Sequence, residues 1–208
     1  RALAAEGANV VVADLNRELG EAVAKQINAD GGSAVFKDVD VADGESTAAL
    51  ADFTIEQFGS IEHLVNNAAI YGGMKIDSLL TVDWDYYRKF MSVNMDGALL
   101  CTRAVYRKMA KRGGGAIVNI IADIWGGMPT MAHSGAARAG MLSFTETAAC
   151  EWGYAGVRVN AVAPGWIASA GIDTYDEEYR NVLRGLRSKV PLQRFGTEAE
   201  TSAAIVFL

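Results

Sequence analysis

The chain has 208 residues, half of them hydrophobic, the size of one domain with a sizeable core. Its net charge of −6 leaves no basic footprint for nucleic acid, and the short basic cluster at 107–112 falls where a helix should end. No window is apolar enough to span a bilayer and no signal peptide heads the chain, so a cytoplasmic protein with no membrane partner and no metal is expected.

In chain order, residues 1–6 read as helix closed by Gly7, followed by a short buried strand at 9–14 that ends on Asp14. Asn16 caps a helix to about residue 29, and Asp30, Gly31 and Gly32 stop it. A second strand is expected at 33–39, a helix at 43–58 closed by Gly59, and a third strand at 61–65. After Asn66-Asn67-Ala68-Ala69 and a loop holding Gly72 and Gly73 comes a long helix over 83–111, with a weak point at 94–97. Cys101 in that helix and Cys150 in the next read as buried, reduced thiols.

The apolar run 116–122 reads as a fourth strand, broken by Gly126, Gly127 and Pro129, with a helix from Ser134 to about Tyr154 and a fifth strand at 158–162. Alternating strands and helices predict an α/β fold, a Rossmann-like three-layer sandwich on a doubly wound parallel sheet with right-handed crossovers. Ligands of such sheets bind beyond the carboxyl ends of the strands, which places the candidate chemistry in the stretch from Asn119 to Arg138. The segment 164–191 reads as loop and short helix that would shape a substrate site, and Thr197 with Glu200 predicts a capping box on a last helix. One domain over 1–208 is expected, with both ends cut: a helix interrupted at Arg1 and another at Leu208.

Four pieces together resemble the short-chain dehydrogenase/reductase family: Asn66-Asn67-Ala68-Ala69, Val93-Asn94-Met95-Asp96-Gly97, Ile117-Val118-Asn119, and Arg158-Val159-Asn160-Ala161-Val162-Ala163-Pro164-Gly165. The resemblance covers the whole chain and implies a strand and a Thr-Gly-x-x-x-Gly-x-Gly turn ahead of Arg1. It also implies nicotinamide dinucleotide binding, a small-molecule substrate and a homodimer or homotetramer, with Cys101, Tyr106, Leu142, Phe144 and Trp152 as candidates for the shared surface. Asp14 matches the acid that accepts hydrogen bonds from the adenosine ribose and repels a 2′-phosphate, which favours NAD over NADP. Asp40 and Val41 match an adenine contact, Asn67, Ala68 and Ala69 let the backbone pass close to the ribose, and Pro164, Gly165, Ile167 and Ser169 match the segment holding the nicotinamide amide. Ala69 stands where the motif usually has Gly.

The catalytic positions depart from the family. It uses an Asn, a Ser and a Tyr-x-x-x-Lys pair; Asn94 matches the first, while Ala122, Ser134 and Arg138 occupy the other three. Tyr71 and Lys75 repeat the Tyr–Lys spacing, but Gly72 and Gly73 between them exclude a helix, and Tyr71 is expected to line the substrate pocket. An alcohol is too weak an acid to protonate an alkoxide, and the Arg138 fork differs from a lysine, so ketone–alcohol interconversion should be slow. Reduction of an enoyl thioester asks less. Charge collects on the thioester oxygen, where Ser134, Arg138, which also serves the cofactor, and backbone N–H groups could receive it.

The segment from His133 to Gly140 resembles trans-2-enoyl-CoA reductases, whereas residues before Gly115 resemble alcohol dehydrogenases and 3-oxoacyl reductases. Three readings stay open: an enoyl-thioester reductase, an alcohol dehydrogenase or 3-oxoacyl reductase whose acid comes from Tyr71 or Tyr175, and a catalytically silent binding or assembly subunit. His133 reads as a packing residue at the helix start, with general-acid catalysis as the alternative. Asp123 reads as a loop-facing acid, and Trp125, Met128 and Trp166 are candidate substrate contacts.

Overall fold

The computed structural model describes residues 1–175 and 177–208. The elements run α1 (Ala2–Ala5), β1 (Asn9–Asp14), α2 (Arg17–Ala29), β2 (Ser33–Asp38), α3 (Gly44–Phe58), β3 (His63–Asn66), α4 (Trp84–Met91), α5 (Gly97–Lys111), β4 (Gly115–Ile120) and α6 (Ala132–Trp152). They continue as β5 (Val157–Val162), β6 (Ile167–Ala168), α7 (Glu177–Leu186), β7 (Gly196–Thr197) and α8 (Glu198–Phe207). All strand pairs are parallel, in the orders β1-β2, β3-β4-β5 and β6-β7. Helices α1 and α2 share one apolar cluster and α1 meets α8; α3 packs on α5, whose face with α6 covers β3, β4 and β5. This is the three-layer α/β/α arrangement that the strand–helix alternation requires.

Local chemistry explains most boundaries. Asn16 caps α2 by accepting the Leu19 N–H at 3.0 Å, and Asp43 caps α3 through the Glu45 N–H. Gly7 and Gly59 turn the chain at φ 90° and 81°, where a side chain would be strained. Thr197 and Glu200 form a full capping box on α8. The weak point in the long helix is a π-helical turn, Ser92–Asp96, which carries Asn94.

Two readings of burial need correction. Cys150 is exposed on the outer side of α6, and only Cys101 is buried, which pushes its thiol up to about 11. The apolar run at β1 is only half-buried at Val10, Val11 and Val12, because β1 has a ladder on one edge alone; Ile117 and Val118 of β4, paired on both edges, are buried. The short β6-β7 pair, which joins Ile167 to Gly196, has no signal in the sequence beyond Gly196, where any Cβ would strike Ile167 Cδ1. Among the described residues no helix is long and apolar enough to cross a membrane, and no group of three His, Cys, Asp or Glu could hold a metal ion.

Candidate active site

The carboxyl ends of β3 and β4 are locked together from beneath. Asn66 and Asn119 are register partners at the last position of their ladder, and the Asn66 amide donates to Asn119 Oδ1 at 2.7 Å and Thr102 Oγ1 at 2.9 Å. Asn119 in turn donates to Thr145 Oγ1 on α6 at 2.8 Å, and Thr145 donates to the Met141 carbonyl. All four side chains are buried, and each finds a partner, so strands and helices α5 and α6 are held in one register. The pairing of two asparagines ending adjacent apolar strands was the available sequence signal for this network, which pattern reading passed over.

Above this floor, the Asn94 amide clasps the loop after β3. Its Oδ1 accepts the Ile70 N–H at 2.8 Å and its Nδ2 donates to the Ile70 carbonyl at 3.3 Å. Asn94 is 1% exposed, so its role is first to fix residue 70 relative to α5. Asn67 and Ala68 lie exposed on the same loop and Ala69 is half-buried.

Helix α6 begins without a side-chain cap and without an acid in its first turn. The N–H groups of His133 and Ser134 find no acceptor among the described residues, whereas the residue before them lies beside the Asp77–Met131 bridge, so the positive end of this 21-residue helix keeps two backbone donors. Ser134 is 6% exposed, and its hydroxyl keeps solvent contact and bonds no described residue. One turn on, Arg138 Nη1 donates to the Ile120 carbonyl at the end of β4 at 2.6 Å. Burial pushes its guanidinium down to about 10, still charged at neutral pH, and no carboxylate of the described residues pairs with it. Arg138 is therefore partly committed to strand β4, with Nε and Nη2 left to serve a ligand. Ala122, two residues past the end of β4, offers only a methyl group.

His133 takes no part in the cleft. It is fully buried between the rings of Phe90, 4.5 Å away, and Tyr86, 5.3 Å away, on the α4 side of α6. Neither ring nitrogen has a hydrogen-bond partner, and burial lowers its basicity against the opposing pull of Asp77, so it packs there neutral. The packing reading stands and the general-acid reading lapses.

The remaining predicted positions fall around the same edge. Asp14 ends β1 exposed, with Oδ1 accepting the Asn16 N–H at 2.8 Å and Oδ2 unengaged. Asp40 accepts the Ala42 N–H, while the Val41 side chain packs against Gly97, leaving its backbone as the part that could meet a nucleotide. Pro164 and Gly165 follow β5, Ile167 lies in β6, and Ser169 precedes a short 3₁₀ turn. Trp125 and Trp166 are exposed, whereas Met128 packs on Gly135 at the start of α6. Asp123 is exposed. Of the surface expected between subunits, Cys101 belongs to the interior; Tyr106, Phe144 and Trp152 pack partly on the core, and Trp152 stacks on Tyr106 at 4.4 Å. A concavity of about 330 Å³ bordered by Glu62, His63, Arg112 and Arg158 lies at the amino ends of β3, β4 and β5, the opposite edge from Ser134.

Comparison with known proteins agrees with this geometry. A family model described as enoyl-(acyl carrier protein) reductase matches residues 1–208. An uncharacterized oxidoreductase of Mycobacterium tuberculosis is 48% identical over all of this chain and 82% of its own length. A 3-oxoacyl-[acyl-carrier-protein] reductase of Staphylococcus aureus is 32% identical over 99% of this chain and 82% of its own. The structure of a citronellol catabolism dehydrogenase from Pseudomonas aeruginosa superposes with a TM-score of 0.85 at 45% identity, covering 99% of this chain and 78% of that one. The chain belongs to the short-chain dehydrogenase/reductase family, as an oxidoreductase whose fold is that of the family.

Proposed function

We propose that this oxidoreductase reduces the carbon–carbon double bond of an enoyl thioester, with NAD(H) preferred over NADP(H). The observation that carries the reading is Ser134: a hydroxyl that keeps solvent contact on an otherwise buried residue and bonds no described protein group, in the first turn of α6, one turn before a desolvated guanidinium. Asp14, Asp40, the 67–69 backbone and the 164–169 segment would hold a nicotinamide dinucleotide, which would supply hydride chemistry there. Electron density then moves to the thioester oxygen, and the chain's part is to receive it. Ser134 Oγ, the free N–H groups of α6 and the charge of Arg138 are donors fixed before the reaction, and one such donor is worth roughly 10²–10³ in rate. The same groups are poor for a ketone, whose alkoxide needs a proton from an acid of matched pKa.

The dinucleotide preference rests on Asp14. Its unengaged Oδ2 can accept from a ribose hydroxyl, and its charge repels a 2′-phosphate at the same place. A second reading, 3-oxoacyl reductase or alcohol dehydrogenase, draws on the names of two relatives and needs an acid from outside α6. Of its two candidates, Tyr175 already donates its hydroxyl to the Tyr71 carbonyl at 2.7 Å. Turnover of a crotonyl-type thioester is compared with that of the matching 3-oxo thioester, each with NADH and NADPH. Faster enoyl reduction with NADH is expected, and faster 3-oxo reduction overturns the reading in favour of the second. Tight dinucleotide binding by calorimetry with no turnover of either substrate marks a silent subunit.

A further inference from the structure

Resting on that reading, we propose that Tyr71 is the proton donor of the site, replacing from the loop after β3 the acid that α6 lacks. Four contacts hold it in place. The preceding residue, Ile70, is gripped at both its N–H and its carbonyl by the buried Asn94 amide. The Tyr71 carbonyl accepts the Tyr175 hydroxyl at 2.7 Å, and the two rings meet edge to face at 6.2 Å. Its ring then lies over Gly171: a Cβ there would stand 2.7 Å from Tyr71 Cε1, the carbon beside the hydroxyl-bearing one, and 3.5 Å from Ser169 Oγ. The phenol edge and Ser169, at the segment that would hold the nicotinamide amide, thus flank one point.

The phenol is also free to act. Among the described residues no hydrogen bond engages the Tyr71 hydroxyl, and the residue is 44% exposed, enough to exchange protons with water. Other described tyrosines sit elsewhere: Tyr86 accepts the Lys75 N–H, Tyr106 and Tyr154 pair with each other, and the Tyr87 ring stacks on Trp84. Burial raises the Tyr71 phenol above its ordinary value, so it stays protonated through neutral pH.

The step balances as follows. With the β-carbon reduced and the electron pair of the former double bond delocalised over the α-carbon and the thioester oxygen, the Tyr71 O–H bond breaks and its proton forms the new α-carbon–hydrogen bond. The products are the saturated thioester and a phenolate, which takes a proton back from water.

The test uses the purified enzyme with a 2-methylenoyl thioester, because the chirality of the product reports the face from which the α-carbon is protonated. Wild type should give one enantiomer. Tyr71→Phe, which keeps the ring and its contacts, should lower kcat by about 10²-fold with little change in KM, give a mixed product, and lose the alkaline limb of the rate profile. Gly171→Ala, whose Cβ displaces the ring, should reproduce the mixed product with Tyr71 present. A Tyr71→Phe enzyme that stays within twofold of wild type and yields a single enantiomer overturns the proposal alone. Wild type that leaves enoyl thioesters unreduced overturns the reaction reading and the proposal with it.

Discussion

Helix α6 carries two polar regions that obey opposite rules. Around Thr145, the buried side chains of Asn66, Thr102 and Asn119 find partners on β3, β4 and α5. Around its first turn, both ring nitrogens of the fully buried His133 have none, the Ser134 hydroxyl meets solvent and no described residue, and the backbone N–H groups of His133 and Ser134 go unclaimed among the described residues. Burial without a partner costs about 1–3 kcal/mol for a polar group. A helix that satisfies its middle and neglects its start keeps donors available at the start, where a ligand oxygen can use them. The difference separates what α6 does for the fold from what it does for chemistry.

The contrast can be broken first at its satisfied end. Asn119→Ala strips the acceptor from Asn66 and the donor from Thr145, and should cost about 3 kcal/mol of stability in urea unfolding. A loss under about 1 kcal/mol would mean the network contributes little to holding the strands. At the unsatisfied end the outcome should invert. Ser134→Ala removes a hydroxyl that bonds nothing in the protein, so stability should hold within about 0.5 kcal/mol while kcat for the enoyl thioester falls on the order of 10²-fold. A stable enzyme of unchanged rate would strike Ser134 from the chemistry.

His133 sharpens the comparison through pH. Its folded pKa lies below the unfolded value near 6.5, so the unfolded chain binds the extra proton, and stability contributed by the neutral ring falls as pH drops through and below about 6.5. His133→Phe fills the space between Phe90 and Tyr86 without orphan nitrogens. It should be more stable by about 1 kcal/mol near pH 7 and should flatten the acid slope of the urea midpoint between about pH 5 and 6.5. The smallest effect should come at the far edge of the sheet. Asp14→Ala removes an exposed carboxylate, leaving stability nearly unchanged while the NADH-over-NADPH preference in kcat/KM narrows about tenfold.

The sequence was most legible where a local rule acts. Asn16, Asp43 and the Thr197–Glu200 box each cap the helix that follows, because an orphan N–H and a short polar side chain lie a fixed number of bonds apart. The weakness at 94–97 was legible for a similar reason, although its form, a π-helical turn that aims Asn94 at Ile70, was not. Much less could be read wherever two distant segments decide the outcome. Val10, Val11 and Val12 match a buried strand as well as Ile117 and Val118 do; only the number of neighbouring ladders separates them. Cys101 and Cys150 both follow apolar helical patterns, and α6 turns Cys150 outward.

By itself, then, the order of residues determined the alternation of parallel strands and helices and the caps and breaks between them, since each depends on neighbours within a few positions. The tertiary structure alone decided which polar groups are satisfied. Asn66 meets Asn119 across a ladder, Arg138 spends one donor on the Ile120 carbonyl, His133 is shut between two rings, and Tyr71 is laid over Gly171 beside Ser169. A hydrogen bond is made or missed within a few tenths of an ångström, and such distances between remote segments are fixed only when the layers pack.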